Sequence, residues 1–440
     1  MTSEFDKPSS AKKLTKIQAV KGMNDVLPEK AIYWDALEEI LREWLLAYGY
    51  RLMRTPVLED TALFRRGIGE VTDIVEKEMF SFIDQLNGDA LTLRPEFTAG
   101  MVRAAIEHSL TYASPQRVYQ IGPVFRHERP QRGRYRQFHQ LDVEAMGFSG
   151  PDVDAEMVVM LARLWRELGL KNVRLEINCL GETAERQAHR QALIAYLESH
   201  YDQLDEDAKR RLHTNPLRIL DTKNPALQPL VNDAPKLIHY LGESSLQHYS
   251  QFKQLLSDSG VEFIENPRLV RGLDYYNLTV FEWITDSLGA QGTICGGGRY
   301  DGLIETLGGK STPAVGFAIG LERLLDLVIE TTQPNYGYVP DVYLVHQGQQ
   351  ASRRAFTLAE ELRDASLDVI LHAGAGNFKA QMKKADQSGA SVAVILGDNE
   401  VLNGSASVKL LRNQFDQIEV QQELLIDTIF DLLYKEGESS

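Results

Sequence analysis

The sequence predicts an α+β body built on an antiparallel sheet, followed by a small α/β domain. Up to about residue 330, strand patterns come in neighbouring pairs joined by a hairpin signal or a charged loop. Beyond that point, short apolar strands alternate with helices, a pattern typical of parallel strands. The length of 440 residues also exceeds one ordinary core, so at least two domains are expected.

The body begins after a polar tail, residues 1–16, which we expect to be flexible. Its elements follow from apolar residues at helical spacing and from alternating apolar and polar residues. The predicted order is a helix over 31–48, strands over 79–84 and 90–93 joined by an Asn-Gly turn, a helix over 95–108, strands over 118–125 and 138–146, a helix over 151–168 and a strand over 173–179.

The body, residues 17–330, also contains a polar segment over 182–260, which we interpret as a helical insertion broken by prolines. Strand patterns return over 263–281 and 292–295, and a strand that begins at residue 313 runs into a helix near residue 320. Residues 331–340 contain two prolines and a glycine and are expected to be a linker. The last domain, 341–440, is predicted to have strands over 341–346, 367–372 and 391–396, helices over 351–365 and 378–387, and a final helix over 421–434.

Composition excludes several classes of protein. The net charge of −15 disfavours a nucleic-acid coat or a polybasic membrane binder, so any contact with nucleic acid needs a local basic patch. The two cysteines form no CxxC or Cys/His cluster, so no protein-bound metal site and no disulfide framework are expected, as in a cytoplasmic protein. Neither a secretory signal nor an apolar run of about 18 residues occurs, so no membrane span is expected. The phosphate-binding patterns GxxxxGK[ST] and GxGxxG after a strand are also missing, so an ATP site would need another device.

An arginine-rich loop between two predicted strands is a local exception to the acidic composition. Over residues 126–136 it carries five arginines and a single acid, Glu128. Guanidinium groups offer paired donors to phosphate, so the loop is a candidate phosphate site. The alternative interpretation is a solvated hairpin tip with surface ion pairs.

Polar side chains share one face of the strand that follows this loop. Alternation places Gln140, Asp142 and Glu144 together, which is costly in so apolar a strand unless they have partners. The pattern predicts a pocket floor for a polar, cationic ligand, and the alternative is a half-exposed edge strand. Nearby, Glu96 is a candidate for holding an ammonium group. The alternative is that Thr98 caps the helix and Glu96 complements its dipole.

Three later segments add candidates. Arg271 is an isolated cation before a strongly β-forming run, and alternation places Tyr275 and Tyr276 on opposite faces, so one of them is expected in a pocket. Plain core tyrosines are the alternative there. The glycines at 296–298 permit close approach of a ligand or of another backbone. Arg323, in the first turn of a helix, can reach a phosphate at the end of the preceding strand, unless it is an ordinary surface residue.

In this order, the segments resemble the motifs of class II aminoacyl-tRNA synthetases. Residues 54–59 resemble the first, dimer-forming motif, 118–146 the second and 316–325 the third. Residues 271–276 and 295–301 resemble the two histidine-specific motifs of the histidyl-tRNA synthetase family. The resemblance covers about residues 17 to 435. It implies a class II synthetase fold for the body and an anticodon-binding function for the last domain.

The resemblance also implies a reaction and a set of residue roles. L-histidine and ATP, with Mg²⁺, would form histidyl-adenylate, and a cytoplasmic homodimer would pass the histidyl group to tRNA(His). Catalysis would be electrostatic, with Arg126 on the α-phosphate, Arg323 on the γ-phosphate and Arg271 stabilising charge during attack. The other implied contacts are Glu128 to ATP; Glu96, Thr98, Gln140, Glu144, Tyr275, Tyr276 and Gly297 to histidine; and Gln131 and Arg136 to the acceptor end of the tRNA.

The rival hypothesis is a catalytically inactive, synthetase-like regulatory subunit of ATP phosphoribosyltransferase. Such proteins resemble the catalytic body, lack the anticodon domain and tend to lose motif residues. Here Arg126, Arg271 and Arg323 are all present, and about 100 residues follow the linker. One departure from the family pattern is Phe97, which stands where a small residue is expected, beside Glu96.

Overall fold

The computed structural model describes residues 16–437, apart from 70, 71, 73, 221, 223, 288–291, 375 and 413–415. The chain divides into two compact units between Asn335 and Tyr336, within the predicted linker. Of the predicted tail, residues 1–15 lie outside the described residues. No helix in the described ranges has the length and apolar character needed to cross a bilayer.

The first unit is a mixture of helices and strands. Its helices are α1 Pro28–Ala47, α2 Thr61–Ile68, α3 Thr98–Glu107, α4 Pro151–Glu167, α5 Thr183–Ser199, α6 Glu206–Arg211, α7 Leu217–Leu220, α8 Gln228–Asn232, α9 Glu243–Asp258, α10 Leu303–Thr306 and α11 Leu321–Thr332. Its strands are β1 Arg51–Leu52, β2 Leu58–Asp60, β3 Phe80–Ile83, β4 Ala90–Leu93, β5 Gln116–Phe125, β6 Gln137–Met146, β7 Arg174–Cys179, β8 Ile264–Glu265, β9 Asn277–Ile284, β10 Thr293–Arg299 and β11 Ala314–Gly320. A π-helical turn spans Ile74–Glu78, and 3-10 turns span Tyr201–Gln203, Pro225–Leu227 and Leu237–Tyr240.

The large sheet of this unit has the strand order β1-β5-β6-β11-β10-β9-β7-β8 in the described residues. Its inner pairs are antiparallel, as predicted, and only the outermost pairs, β1–β5 and β7–β8, are parallel. On β6 the apolar residues Leu141, Val143 and Ala145 join a core with Leu41 of α1 and Leu161 of α4. The alternate residues of β6 therefore face the opposite side of the sheet, where the polar set is found.

Two smaller structures complete the unit. β2, β4 and β3 form a separate three-stranded sheet, in which β3 and β4 are the predicted hairpin. Helices fill most of the predicted insertion, which has its own apolar cluster including Leu193, Leu212 and Leu230.

Two predictions about strands in this unit were wrong. Residues 271–276 form a turn, and β9 begins only at Asn277. The backbone amide of Asp274 in this stretch bonds to the end of a helix rather than to a strand, because it donates to the oxygen of Ile68, the last residue of α2, at 3.2 Å. The three glycines, expected after a strand, lie inside β10 and pair with both neighbouring strands.

The second unit is a mixed α/β sheet with helices. Its strands are β12 Val342–Gln347, β13 Val369–Leu371, β14 Val392–Gly397, β15 Ser405–Leu410 and β16 Ile418–Gln421, and its helices are α12 Gln349–Asp364, α13 Phe378–Gln387, α14 Asp398–Leu402 and α15 Leu425–Gly437, with a 3-10 turn at Gln422–Leu424. The order is β13-β12-β14-β15-β16. The predicted parallel strands β12, β13 and β14 are confirmed, whereas the antiparallel β15 and β16 were not foreseen.

Candidate active site

A cavity of about 1150 Å³ opens on the polar face of the large sheet. Strands β6, β10 and β11 contribute its floor, and the loops around residues 96, 128 and 273 contribute its walls. Most of the predicted site residues line it: Glu96, Thr98, Arg126, Glu128, Gln140, Glu144, Arg271, Tyr275, Tyr276 and Arg323. Gly297, Gln131 and Arg136 are not among the lining residues.

Glu144 is the most enclosed carboxyl group of the floor. Thr98 Oγ1 donates to its Oε1 at 2.7 Å, and the hydroxyl of Tyr300 donates to its Oε2. Burial raises the pKa of Glu144 to about 8 against the lowering effect of these bonds, and repulsion from Glu96 adds to the rise. Tyr300 is a site residue that we did not predict, although it lies in the second histidine-specific segment.

Glu96 lies above this floor at the start of α3. The backbone N–H of Ala99 donates to its Oε1 at 3.1 Å, so Glu96 does complement the helix terminus, as the alternative interpretation held. Burial raises its pKa. Thr98 does not cap the helix, because its hydroxyl is bonded to Glu144. The neighbouring Phe97 does not line the cavity, and its ring packs against the guanidinium of Arg94, whose Cζ lies 4.3 Å from the ring centroid.

Asp142 is a second site residue missing from our predicted contacts. It lies between Gln140 and Glu144 on the same face of β6 and lines the cavity. Burial, together with repulsion from Glu144 and Glu96, raises its pKa well above the ordinary value of a carboxyl. Alternation along β6 had placed Asp142 on this face together with Gln140 and Glu144.

Arg271 is not the isolated cation that the sequence suggested. It forms an ion pair with Glu282 of β9, and Thr293 Oγ1 donates to the other carboxylate oxygen at 3.1 Å. Burial alone lowers the pKa of Arg271, but the Glu282 carboxylate, Tyr276 and Tyr275 together outweigh this effect and raise the pKa, so the guanidinium stays charged. Its Cζ lies 5.6 Å from the ring centroid of Tyr276.

Tyr275 and Tyr276 both line the cavity, which corrects the prediction that only one would. Strand alternation does not apply to them, because they lie in a turn. Their ring centroids are 4.7 Å apart, and that of Tyr275 is 5.6 Å from that of Tyr300. Burial raises the pKa of Tyr276 to about 12, so its hydroxyl remains a donor at neutral pH.

The glycines of β10 serve close packing more than a ligand. A Cβ atom at Gly297 would lie 2.2 Å from Gly316 O and 2.6 Å from Phe317 Cβ, so this position needs glycine for the approach of β11. Gly296 does line the cavity, but a Cβ atom there would lie 2.5 Å from Arg271 Nη1. The predicted space over these two glycines is therefore filled by backbone and by a guanidinium group.

Arginine side chains also line the cavity. Arg126 Nε donates to Pro95 O at 2.9 Å, and Arg323 donates to Gly133 O at 2.8 Å and to Thr293 O at 2.9 Å. Burial lowers the pKa of Arg323, and Arg134 and Arg126 nearby add to the lowering. These bonds use Nε of Arg126, and Nε and Nη1 of Arg323. The other N–H groups of the two guanidinium groups can therefore donate to an anion.

At the tip of the arginine-rich loop, Gln131 and Arg132 lie outside the cavity lining, whereas Gly133 and Arg134 belong to it. Gln131 and Arg134 form an isolated β-bridge there, and Arg132 forms an exposed ion pair with Glu330, so a solvated hairpin tip describes this part. Arg136 is anchored instead: its backbone N–H donates to Gly22 O at 2.7 Å and its Nε to Glu128 O at 3.3 Å.

A buried ion pair that we did not predict joins Arg299 of β10 to α4. Arg299 is fully buried and pairs with Asp154 of α4, and it also donates to Phe148 O and Gly150 O. Its position next to Tyr300 fixes the backbone from which the Tyr300 hydroxyl reaches Glu144.

Among the described residues no group of three or more His, Cys, Asp or Glu side chains is arranged to hold a metal ion.

Known proteins match this chain along its length. A family model described as histidyl-tRNA synthetase matches residues 22–324, and one described as anticodon binding domain matches residues 341–432. The chain belongs to the histidyl-tRNA synthetase family. Members of this family are aminoacyl-tRNA synthetases, a class of enzyme that uses ATP as a substrate.

Individual relatives agree with this assignment. Histidine–tRNA ligase of Bordetella pertussis is 63% identical over 422 residues, which are 96% of this chain and 99% of the relative. The ligase of Dechloromonas aromatica is 60% identical over 423 residues, again 96% and 99% of the two chains. The crystal structure of apo S. aureus histidyl-tRNA synthetase superposes with a TM-score of 0.79 at 35% identity and covers 94% of this chain and 100% of that one.

Proposed function

We propose that this cavity activates L-histidine with ATP and that the chain then transfers the histidyl group to tRNA(His). One observation carries the proposal at the level of residues: a single cavity is lined both by buried carboxyl groups and by an arginine cluster. An amino acid carries a cationic ammonium group and ATP a polyanionic tail, so the two kinds of lining match the two substrates in charge.

The histidine side chain would lie against Glu144 and Tyr276. A neutral imidazole has one donor and one acceptor nitrogen, and a carboxyl group and a phenol hydroxyl offer the complementary pair. Tyr275 would pack beside the ring. Glu96 and Gln140 would hold the α-ammonium, while Thr98 would act mainly through its bond to Glu144.

ATP would lie against the arginine cluster of the cavity, which includes Arg126, Arg134 and Arg323. Arg126 would bind the α-phosphate and Arg323 the γ-phosphate, with Glu128 beside them. Arg271 would stabilise the negative charge that develops as the carboxylate attacks the α-phosphate, by electrostatics and without proton transfer. Magnesium would arrive with ATP, because Mg²⁺ on a nucleotide needs only one or two carboxylates besides the phosphates. Glu128, which lines the cavity, would supply one.

The remaining predictions concern partners. Gln131 and Arg136, at the edge of the arginine-rich loop, would contact the acceptor end of the tRNA, and the second unit would bind the anticodon. A homodimer is supported by exposed apolar side chains on the three-stranded sheet, such as Phe82 at 49% and Ile83 at 62% exposure. A cytoplasmic location remains a prediction from the cysteine content.

Truncation after Asn335 tests the division of labour between the units. We expect the shortened protein to retain histidine-dependent ATP–pyrophosphate exchange, because the cavity lies wholly in the first unit. Charging of tRNA(His) should fall by about 100-fold or more, since anticodon contacts are lost. Full charging efficiency would contradict the anticodon function. A regulatory subunit, the rival hypothesis, would show neither activity at full length.

A further inference from the structure

The three carboxyl groups of the floor differ in how they are used within the protein. Both oxygens of Glu144 accept from hydroxyl groups, and both oxygens of Glu96 accept from the Ala99 N–H, at 3.1 and 3.4 Å. Asp142 Oδ2, in contrast, is buried and has no hydrogen-bond partner among the described residues. The backbone amide of Phe97 faces the same carboxyl group, which leaves Oδ2 as the unused oxygen.

A second unused acceptor lies next to it on β6. Gln140 Oε1 is likewise buried and without a partner in the described part of the chain. The two residues are only 9% and 1% exposed, and both line the cavity. Side chains two positions apart on a strand share a face at a spacing of about 7 Å, so one small group can contact both.

The chemistry of the missing partner follows from these two atoms. Buried acceptors without a donor are strongly disfavoured, and a ligand that supplies donors removes the penalty. Two acceptors side by side, one of them a carboxylate, call for a cationic group with several N–H bonds. An alkylammonium has three donors and no acceptor, whereas a neutral imidazole has only one donor.

We propose that Asp142 is a further substrate-binding residue, whose Oδ2 accepts from the α-ammonium of the amino acid together with Gln140 Oε1. This rests on the proposed function of the cavity, and it adds to Glu96 a second carboxylate at the ammonium site. Glu144 already accepts from Thr98 and Tyr300, so it is not the carboxyl group that needs an ammonium donor. It is then left to the imidazole. The competing role is purely structural, with Asp142 holding the segment that contains Glu96 and Phe97.

Two ligands that differ in the ammonium group separate these roles. L-histidinol carries the ammonium and the ring, whereas 3-(imidazol-4-yl)propan-1-ol is the same molecule without the ammonium. We expect Asp142→Asn, which retains the shape of the side chain, to weaken L-histidinol by about 10- to 100-fold, as for loss of one charge-assisted hydrogen bond. Binding of the propanol should change by less than about 3-fold, because it makes no such bond. Titration calorimetry on the full chain measures both affinities without catalysis.

A loss by the same factor for both ligands, or for neither, would overturn the proposal. Because both are measured on one variant, partial unfolding does not alter their ratio, and Asp142→Ser supplies the ratio if Asp142→Asn fails to fold. The control is Glu176→Gln, which removes a carboxylate from the far wall of the same cavity, where Asn266 is its partner, and should leave both affinities unchanged. If wild-type protein binds no histidine, the proposed function fails; an unchanged ratio in a histidine-binding protein rejects the role of Asp142 alone.

Discussion

Gly316 determines the room available to the Glu144 carboxylate. A Cβ atom at this position would lie 1.7 Å from Glu144 Oε2 and 2.7 Å from the backbone oxygen of Val143. Ordinary contacts of a Cβ atom begin near 3.4 Å, so in Gly316→Ala the carboxylate must move by 3.4 − 1.7, about 1.7 Å. That movement breaks the 2.7 Å bond from Thr98 and the bond from Tyr300, and the Val143 backbone cannot yield in the same way.

The cost can be worked out from these contacts. Overpacking a tight core costs about 1–3 kcal/mol, and each hydrogen bond to the protonated, neutral Glu144 is worth about 0.5–1.5 kcal/mol. A combined loss of about 3 kcal/mol at the histidine site corresponds to roughly 150-fold in affinity. We therefore expect Gly316→Ala to raise the KM for histidine in ATP–pyrophosphate exchange by about 100-fold or more, with a much smaller change in the KM for ATP.

Gly302→Ala is the matched control. A Cβ atom at Gly302 would meet nothing within 4 Å, and its φ of −81° suits alanine. It should therefore behave as wild type. If Gly316→Ala keeps the wild-type KM for histidine, or if both variants lose the same activity, then Glu144 is not held against Gly316 as described.

Two further predictions concern charge. Arg271→Ala should lower the exchange rate by about 100- to 1000-fold, the usual effect of losing one preorganised donor at the developing charge, while histidine affinity changes little; an unchanged rate would remove Arg271 from catalysis. Glu144→Gln tests the pKa of about 8, which lies far above the ordinary 4.5. Because the folded pKa is raised, the stability contributed by protonated Glu144 is fully present below about pH 4.5 and is lost as the pH rises towards 8. The free energy of unfolding of Glu144→Gln minus that of wild type, both from urea titrations without ligand, should therefore increase between pH 5 and 8. The increase is at most ~1.4 kcal/mol per pH unit. A difference that does not change with pH would contradict the buried, protonated state of Glu144.

Local patterns predicted much of this fold because they reflect the same forces that shape it. Alternation along β6 placed Gln140, Asp142 and Glu144 on one face correctly, since the opposite face must bury Leu141 and Val143. The strand after the linker, β12, and its parallel neighbours were apolar enough to be recognised. β15 escaped because its buried serines, Ser405 and Ser407, interrupt the apolar pattern.

Contacts between distant segments could not be predicted in the same way. The run 271–276 was included in a predicted strand because Tyr275 and Tyr276 favour strands, but the amide of Asp274 bonds to Ile68 O, which only the folded chain brings close. Tyr300 and Glu144 are separated by 156 residues, so neither residue alone predicts their hydrogen bond. The partner of Arg271, Glu282, lies just beyond the predicted strand over 263–281, and nothing in its local sequence indicates its role.

Histidine-dependent ATP–pyrophosphate exchange in the absence of tRNA is the most direct measurement of the central claim. Full-length protein with magnesium should incorporate labelled pyrophosphate into ATP when L-histidine is present, and other amino acids should not substitute for it. No exchange from folded protein, at saturating histidine and ATP, would contradict the assignment of this cavity to histidine activation.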